Sequence, residues 1–485
     1  MRGGIFQLLS AVLVCASATP AAAALDEREC RIGMEGSARV LAQCATLIVP
    51  ADPENPEGEQ LELAVVRVPA LAATPQGDPL VMIQGGPGGS SIDMYLSMRG
   101  ALNFLRRDRD VIVMDQRGTG RSMQGLECKS PEDVDFQIAQ EELLRELLEI
   151  CLNDIERDPR FYTTSLAVRD LEALRAEYGF EQWNVYGVSY GTRVAQHYVR
   201  RYPDRVRSVV LDGSVPAPLV LGPHIPLAAQ SAFDEILARC EQDDTCSQQF
   251  GDLNGKFAEL RERLETQDIT VSRLDPETGE LLEVPLGVDA LLGLTRMMSY
   301  SALTAALLPL TIDTAWAGRY DVLADQAELI LGDVDRSMNI AMHNSVICSE
   351  DWPRFADDTV PDASATYLGS SMTDALDLMC ETWPTGPVDE DFFEPLVTDV
   401  PVLFISGSSD PATPAEHVEQ IIDGGVGNSL HIVVEEQGHG VFALGCMPQI
   451  AERFINAASV EGLDVSCIED TLPTPFFLTP AGPAP

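Results

Sequence analysis

Basic residues are scarce in this chain: 32 Lys and Arg stand against 76 Asp and Glu, a formal net charge of −44. So acidic a surface repels phosphate backbones, which excludes nucleic-acid binding. The acids are dispersed rather than blocked, so they form a solvated shell and not a disordered tail. Solubility, a saline habitat or attraction of substrates with a positive amino group would each account for them. Long apolar runs are missing as well. Beyond the N-terminal stretch, nothing is long and apolar enough to span a bilayer. No Cys-x-x-Cys or Cys-His cluster occurs, which argues against zinc. The glycine-rich stretch "QGGPGGSS" (84–91) lacks the lysine and spacing of a phosphate-binding loop. No cofactor or metal is implied. Histidine is rare, six in 485 residues, so a catalytic imidazole has few places to be.

What is present begins with a leader. Arg2 precedes an apolar stretch from Ile5 to Ala18, and Ala22, Ala23 and Ala24 offer a small-residue cleavage site before Leu25. Residues 1–24 therefore read as a signal peptide, too short and wrongly flanked for a membrane anchor, and export to the periplasm or the medium is expected. Ten cysteines follow it: Cys30, Cys44, Cys128, Cys151, Cys240, Cys246, Cys348, Cys380, Cys446 and Cys467. An even count in an exported chain points to disulfides, and their order suggests local loops joining successive cysteines.

The apolar fraction of 45% fits a globular chain with a large core. Runs at 45–50 and 61–70 read as a leading hairpin. Those at 79–84, 110–116, 183–187 and 206–213 are continuous apolar strands bounded by glycine, as buried parallel strands are. Helical patterns fall between them, at 165–179 and 192–203. After Pro216 the strand rhythm lapses for nearly two hundred residues of mainly helical pattern, and it returns at 400–407 and 429–436 before a last helix at 447–458. This reads as an α/β sheet carrying a largely helical cap inserted after the sixth strand. The expected division is a first core part over 25–216, a cap over 217–396, a second core part over 397–470 and a proline-rich tail over 471–485. That tail is either loose or hugs the surface.

The stretch "GVSYG" (187–191) sits between a buried strand and a helix. A serine there is forced into strained backbone angles and lifted above the sheet edge, the setting of a nucleophile elbow. Ser189 is the candidate nucleophile. It needs a base, and the base an orienting acid. His197 lies within the following helix, His224 and His343 in the cap, His417 in a helix and His431 in a strand. His439 alone occupies a glycine-flanked loop after the last strand, at the sheet end where active sites gather. Asp410, in the loop after the preceding strand, gives the order Ser, Asp, His; Asp212, which also ends a strand, is the competing acid and reads as a structural group bonding loop amides. The backbone N–H of Tyr190 and that of Gly86 in the glycine-rich loop are the expected oxyanion donors.

Together, "GGPGGS", "DQRGTGRS" (115–122), "GVSYGT", the Asp410 loop and "GHG" resemble the serine exopeptidase family of prolyl aminopeptidases and secreted tripeptidyl aminopeptidases, which have the α/β-hydrolase fold. The likeness covers about 80–217 and 345–467. Gln84 stands where prolyl aminopeptidases usually have histidine, which with the leader and paired cysteines favours the tripeptidyl-type branch. The resemblance implies a peptide substrate with a free N-terminus. It implies that Arg117 and Arg121 brace loops, and that Glu350 and Asp351 are candidates to hold the substrate amine. A solvated acidic pair beside a disulfide is the competing account of those two. An esterase on the same fold and a non-catalytic binding module are the rival functions.

Overall fold

A computed structural model describes residues 25–34, 36–128, 140–274, 279, 281–355 and 361–483. The leader lies outside the described residues, and so do the last two residues of the tail. Seven strands precede the cap: β1 (Arg28–Ile32), β2 (Val40–Pro50), β3 (Gln60–Val68), β4 (Leu80–Ile83), β5 (Val111–Met114), β6 (Trp183–Val188) and β7 (Val206–Asp212). Two more, β8 (Thr270–Leu274) and β9 (Leu281–Pro285), form a separate hairpin, and β10 (Val402–Gly407) and β11 (Ser429–Val434) follow. The main sheet has nine strands in the order β1-β2-β3-β5-β4-β6-β7-β10-β11. The first three and the β3–β5 pair are antiparallel; from β5 through β11 every pairing is parallel. The fold is that of the α/β hydrolases.

One expectation needs correction. The insertion follows the seventh strand and not the sixth, because β1, with charges at Arg28, Glu29 and Arg31, is too polar to read as a strand from its sequence. The cap is largely helical, as expected, and adds one hairpin, β8–β9, whose strands are mostly solvent-facing and lack an apolar run.

The continuous apolar runs follow from covering both faces of the sheet. Val81 and Ile83 of β4 join one core cluster with Val185, Leu211 and Phe404, whereas Leu80 and Met82 join the other with Val113, Tyr186 and Ile405. Successive side chains alternate faces, so every position of β4, β5 and β6 is buried. The segment between β7 and β10 contributes no strand to the main sheet among the described residues. Its helices, including Ile225–Gln242, Leu253–Thr266 and Leu308–Trp316, enclose a third core around Phe233, Phe250, Leu260 and Ile312. The tail hugs this surface: Phe476 is buried in that cluster under the Arg239 guanidinium, and the Phe477 amide donates to the Ala306 carbonyl.

All five successive cysteine pairs are bonded: Cys30–Cys44, Cys128–Cys151, Cys240–Cys246, Cys348–Cys380 and Cys446–Cys467. No helix among the described residues is long and apolar enough to cross a membrane.

Candidate active site

Strand β6 ends at Val188 and the helix Tyr190–Arg201 begins two residues later, leaving Ser189 alone to make the turn. It does so at φ 57° and ψ −130°, one of three non-glycine residues with positive φ among the described residues. Such a backbone costs on the order of 1–3 kcal/mol and persists only where its surroundings fix it. Here the Ser189 amide donates to the Asp212 carbonyl at 2.9 Å, and the Thr192 hydroxyl donates to the Ser189 carbonyl at 2.6 Å. Glycine is required on both sides by crowding. A Cβ on Gly187 would stand 2.5 Å from the Gly191 carbonyl oxygen, and one on Gly191 would stand 2.4 Å from that of Ile83.

The glycine-rich loop after β4 closes over this turn. A Cβ on Gly85 would meet Val188 O at 2.6 Å, Ser189 Cβ at 2.7 Å and Tyr190 N at 2.9 Å, so only glycine lets the two backbones touch. Gly86 follows at φ 120° with a cis bond to Pro87. Two neighbours hold the loop in place. The Gln116 side-chain amide donates to the Gln84 carbonyl at 3.0 Å, and the cap amide of Asn339 donates to the Gly88 carbonyl at 3.0 Å. Asp115, fully buried, accepts from Ser90 Oγ, Ile92 N and Arg121 N, and so ties the "DQRGTGRS" turn to the start of the helix Ser91–Leu102. Arg117 braces as expected: it pairs with buried Asp170 at 2.6 Å and donates to the carbonyls of Ala51 and Phe161. Among the described residues, Arg121 pairs with exposed Asp93 and, at 3.7 Å, with Asp115.

Across the sheet end, His439 Nδ1 and Asp410 Oδ2 are 2.7 Å apart. The carboxylate is built into its loop: Oδ1 accepts from the amides of Ala412 and Thr413, and Oδ2 from the Thr413 hydroxyl. The imidazole lies against Gly213, where an added Cβ would come within 3.0 Å of Cε1. Since Gly213 directly follows the residue whose carbonyl holds the Ser189 amide, ring and serine flank the same strand end. The cap packs on the ring, with Tyr300 edge-on at 5.2 Å and its carbonyl accepting from the His439 amide at 2.8 Å. A cleft of about 400 Å³ opens beside it, bordered by Leu303 of the cap, Val441 and Leu472 of the tail.

Asp212, the competing acid, accepts from the amides of Val441 and Phe442 at 3.0 Å and from the Tyr186 hydroxyl. It shapes the loop after His439 and does not touch Nδ1. Electrostatics set the ring apart from His197, His343, His417 and His431, whose pKa values burial lowers. Burial opposes its charged form, but the Asp410 carboxylate, their hydrogen bond and the Asp212 charge outweigh burial and raise its pKa above the ordinary 6.5. Burial likewise pushes the Asp410 acid up, yet the His439 charge, that hydrogen bond and the Thr413 and Ala412 amides bring it below 3.8.

Three of the remaining histidines are accounted for elsewhere. His197 is buried, with Nε2 2.9 Å from Asp389. His343 Nδ1 is 3.2 Å from the Pro87 carbonyl, and His431 Nε2 is 3.1 Å from Ser406 Oγ. Burial lowers the pKa of all three. Among the described residues, the one group whose ligand atoms could converge on a metal ion is His197, Asp389 and Asp391. Its carboxylates already pair with Arg201 at 3.1 and 3.3 Å and Arg169 at 3.4 Å, so a cation would have to displace two guanidinium groups.

Glu350 and Asp351 overturn both accounts offered for them. They are neither solvated nor open to a substrate amine: each is fully buried, in a π-helical turn over Ile347–Asp351. Asp351 pairs with Arg193, whose Nη1 lies 2.9 and 3.0 Å from its two carboxylate oxygens, and accepts from the Leu221 amide. Glu350 accepts from the amide and hydroxyl of Thr164. Their acidity gave no hint of this, because the arginine that neutralises Asp351 lies 158 positions away. Thr413 was also missed. Its signal was an Asp followed three residues later by Thr, the spacing at which a side chain caps its own turn.

Comparison with known proteins agrees with the geometry. Residues 78–250 match the family model described as alpha/beta hydrolase fold, and residues 365–467 match the one described as TAP-like protein. The chain is 26% identical over 515 aligned positions to a tripeptidyl aminopeptidase of Streptomyces coelicolor, covering 95% of this chain and 89% of the relative. It is 25% identical over 417 to the serine protease Hip1 of Mycobacterium tuberculosis, covering 77% of each. A carboxylesterase B of the same organism is 28% identical over 225, covering 42% and 43%. The chain is an α/β hydrolase. It is a serine hydrolase of the peptidase type, with a segment over 365–467 similar to the TAP-like model.

Proposed function

We propose that the protein is an exported serine exopeptidase that cleaves peptides from a free N-terminus. In this reading Ser189 attacks the scissile carbonyl while His439 takes its proton, and Asp410 fixes the ring tautomer and stabilises the imidazolium. The amides of Tyr190 and Gly86 hold the oxyanion. His439 then protonates the leaving amine, and water releases the acyl-enzyme by the same steps in reverse order. The observation that carries the reading is the 2.7 Å His439–Asp410 pair standing at the strand end beside a serine held at positive φ. Ser189 Oγ and the imidazole are not hydrogen-bonded to one another here, so the proposal requires that bond to form as substrate binds, as catalytic hydrogen bonds commonly do.

Exopeptidase action is supported by similarity to the tripeptidyl aminopeptidase along nearly the whole chain. Export is supported by the N-terminal leader pattern and five disulfides. The carboxylesterase B relative favours a second reading, an esterase working with the same three side chains. A panel of short-peptide amides and acyl esters separates the two: amide cleavage abolished by blocking the α-amine identifies the exopeptidase, whereas cleavage of esters alone identifies the esterase. Ser189→Ala should lower kcat by several orders of magnitude, roughly 10⁶ where the trio acts as a unit. Near-normal turnover by that variant removes Ser189 from the mechanism.

A further inference from the structure

Glu350 is a buried carboxyl that the steps above leave unused. Both of its oxygens are spent on one residue: Oε1 accepts from the Thr164 amide at 2.6 Å, and Oε2 from the Thr164 hydroxyl at 2.9 Å. A hydroxyl that donates its single proton to Glu350 keeps a lone pair for another donor. That donor is the phenol of Tyr190, in hydrogen-bond contact with Thr164 Oγ1 and fully buried. The chain of bonds thus runs from Tyr190 through Thr164 to Glu350, and it joins three segments. Tyr190 opens the helix behind Ser189, Thr164 opens the helix Thr164–Tyr178, and Glu350 belongs to the turn that Cys348–Cys380 anchors.

We infer that Glu350 and Thr164, through the Tyr190 phenol, position the Tyr190 backbone amide for the oxyanion. This rests on the reading of Ser189 as nucleophile and deepens it. The first residue after the serine must aim its N–H at developing charge, and a helix start is where backbone frays unless its side chain is tied down. A purely structural role would be narrower. The helix Thr164–Tyr178 lacks a side-chain cap from Thr163, and the Oε1 contact with the Thr164 amide alone replaces it. The second oxygen and the phenol extend the device to the elbow.

The groups facing Glu350 are few. Thr164 comes from one helix, Tyr190 and Arg193 from another, and Asp351 from its own turn, with Arg193 and Asp351 paired to each other. Burial pushes the Glu350 acid up to about 8, against the Thr164 bonds and Arg193. Once ionised, the carboxylate is a fixed acceptor that makes Thr164 the donor and hence Tyr190 the donor to Thr164. When protonated it can donate instead and reverse the chain.

The test compares the full wild-type chain with Tyr190→Phe and Glu350→Gln. Turnover of a free-N-terminus peptide nitroanilide and of a nitrophenyl ester is followed across about pH 6 to 10, with thermal melts alongside. Tyr190→Phe keeps the ring and loses only the hydroxyl. Its kcat should fall about tenfold on whichever substrates the wild type cleaves, with KM within about twofold, since a misaimed oxyanion donor costs less than a deleted one. In the wild type kcat should rise a second time near pH 8; that rise should vanish in both variants. Wild-type kcat and an intact second rise in Tyr190→Phe would overturn the inference while leaving Ser189 in place. Failure of the wild type to turn over either substrate or to label with a fluorophosphonate would overturn the nucleophile reading and this one with it.

Discussion

Removing the Asp351 carboxylate separates a structural acid from a substrate ligand. Its side chain and that of Arg193 are both 0% exposed, and they meet through two bonds of 2.9 and 3.0 Å. Arg193 makes one further bond, to the Leu219 carbonyl, and Asp351 one, from the Leu221 amide. Asp351→Asn keeps an acceptor for Leu221 but strands a buried guanidinium without its paired carboxylate. Breaking one side of such a pair costs about 3–5 kcal/mol. At about 2 cal/mol/K of unfolding entropy per residue, a chain of this length has close to 1 kcal/mol/K. The melting temperature should therefore drop by about 3–5 °C if cap and core unfold together. Burial holds the Asp351 acid above its ordinary range despite Arg193. The attraction thus repays desolvation only in part. The double variant Arg193→Met/Asp351→Leu should accordingly recover most of the loss. Thermal melts followed by circular dichroism, with Michaelis constants on free-N-terminus peptides, read both quantities. An unchanged melt with a KM raised tenfold or more would refute the structural account and return Asp351 to the substrate amine.

Further outcomes follow from the same geometry. The raised His439 pKa places the acid limb of kcat/KM above 6.5, because the base must be neutral to accept the serine proton; a limb at or below 6.5 contradicts the pairing with Asp410. The same shift stabilises the fold below pH about 6.5 and loses that contribution as pH rises through the raised value, which acid-to-neutral melts of wild type against Asp410→Asn should register. Asp410→Asn should also lower kcat by about 10⁴ with little change in KM, and Thr413→Val, which removes a hydroxyl bonded to Asp410 Oδ2, should lower it less. Replacing Cys348 and Cys380 by serine opens a loop with sequence separation 32 and should cost about 4 kcal/mol in a denaturant titration; a midpoint equal to the wild type would mean the closure adds nothing.

Much of this molecule could be read along the chain because the relevant physics is local. Val185 and most of its neighbours in β6 had to be apolar to lie between two covered faces, with Asn184 the buried polar exception. Gly187 and Gly191 had to bracket Ser189 because no Cβ fits there, and the loop carrying His439 betrayed itself by following a strand with glycine on either side. Even the five disulfides ran between successive cysteines, as their order suggested. The edge strand β1 and the β8–β9 hairpin escaped notice because strands exposed on one face need no apolar run.

Glu350 and Asp351 mark where reading along the chain stops. Two adjacent acids in an acidic protein carry no local sign of their surroundings; whether each is a solvated charge, an ion pair or a hydrogen-bond anchor depends on what comes to lie against it. Sequence alone settled the turn that presents Ser189, since a backbone conformation is fixed by its own residues. Only folding brought Arg193 to Asp351 and Thr164 to Glu350, because the worth of a buried charge is decided by partners more than a hundred positions away.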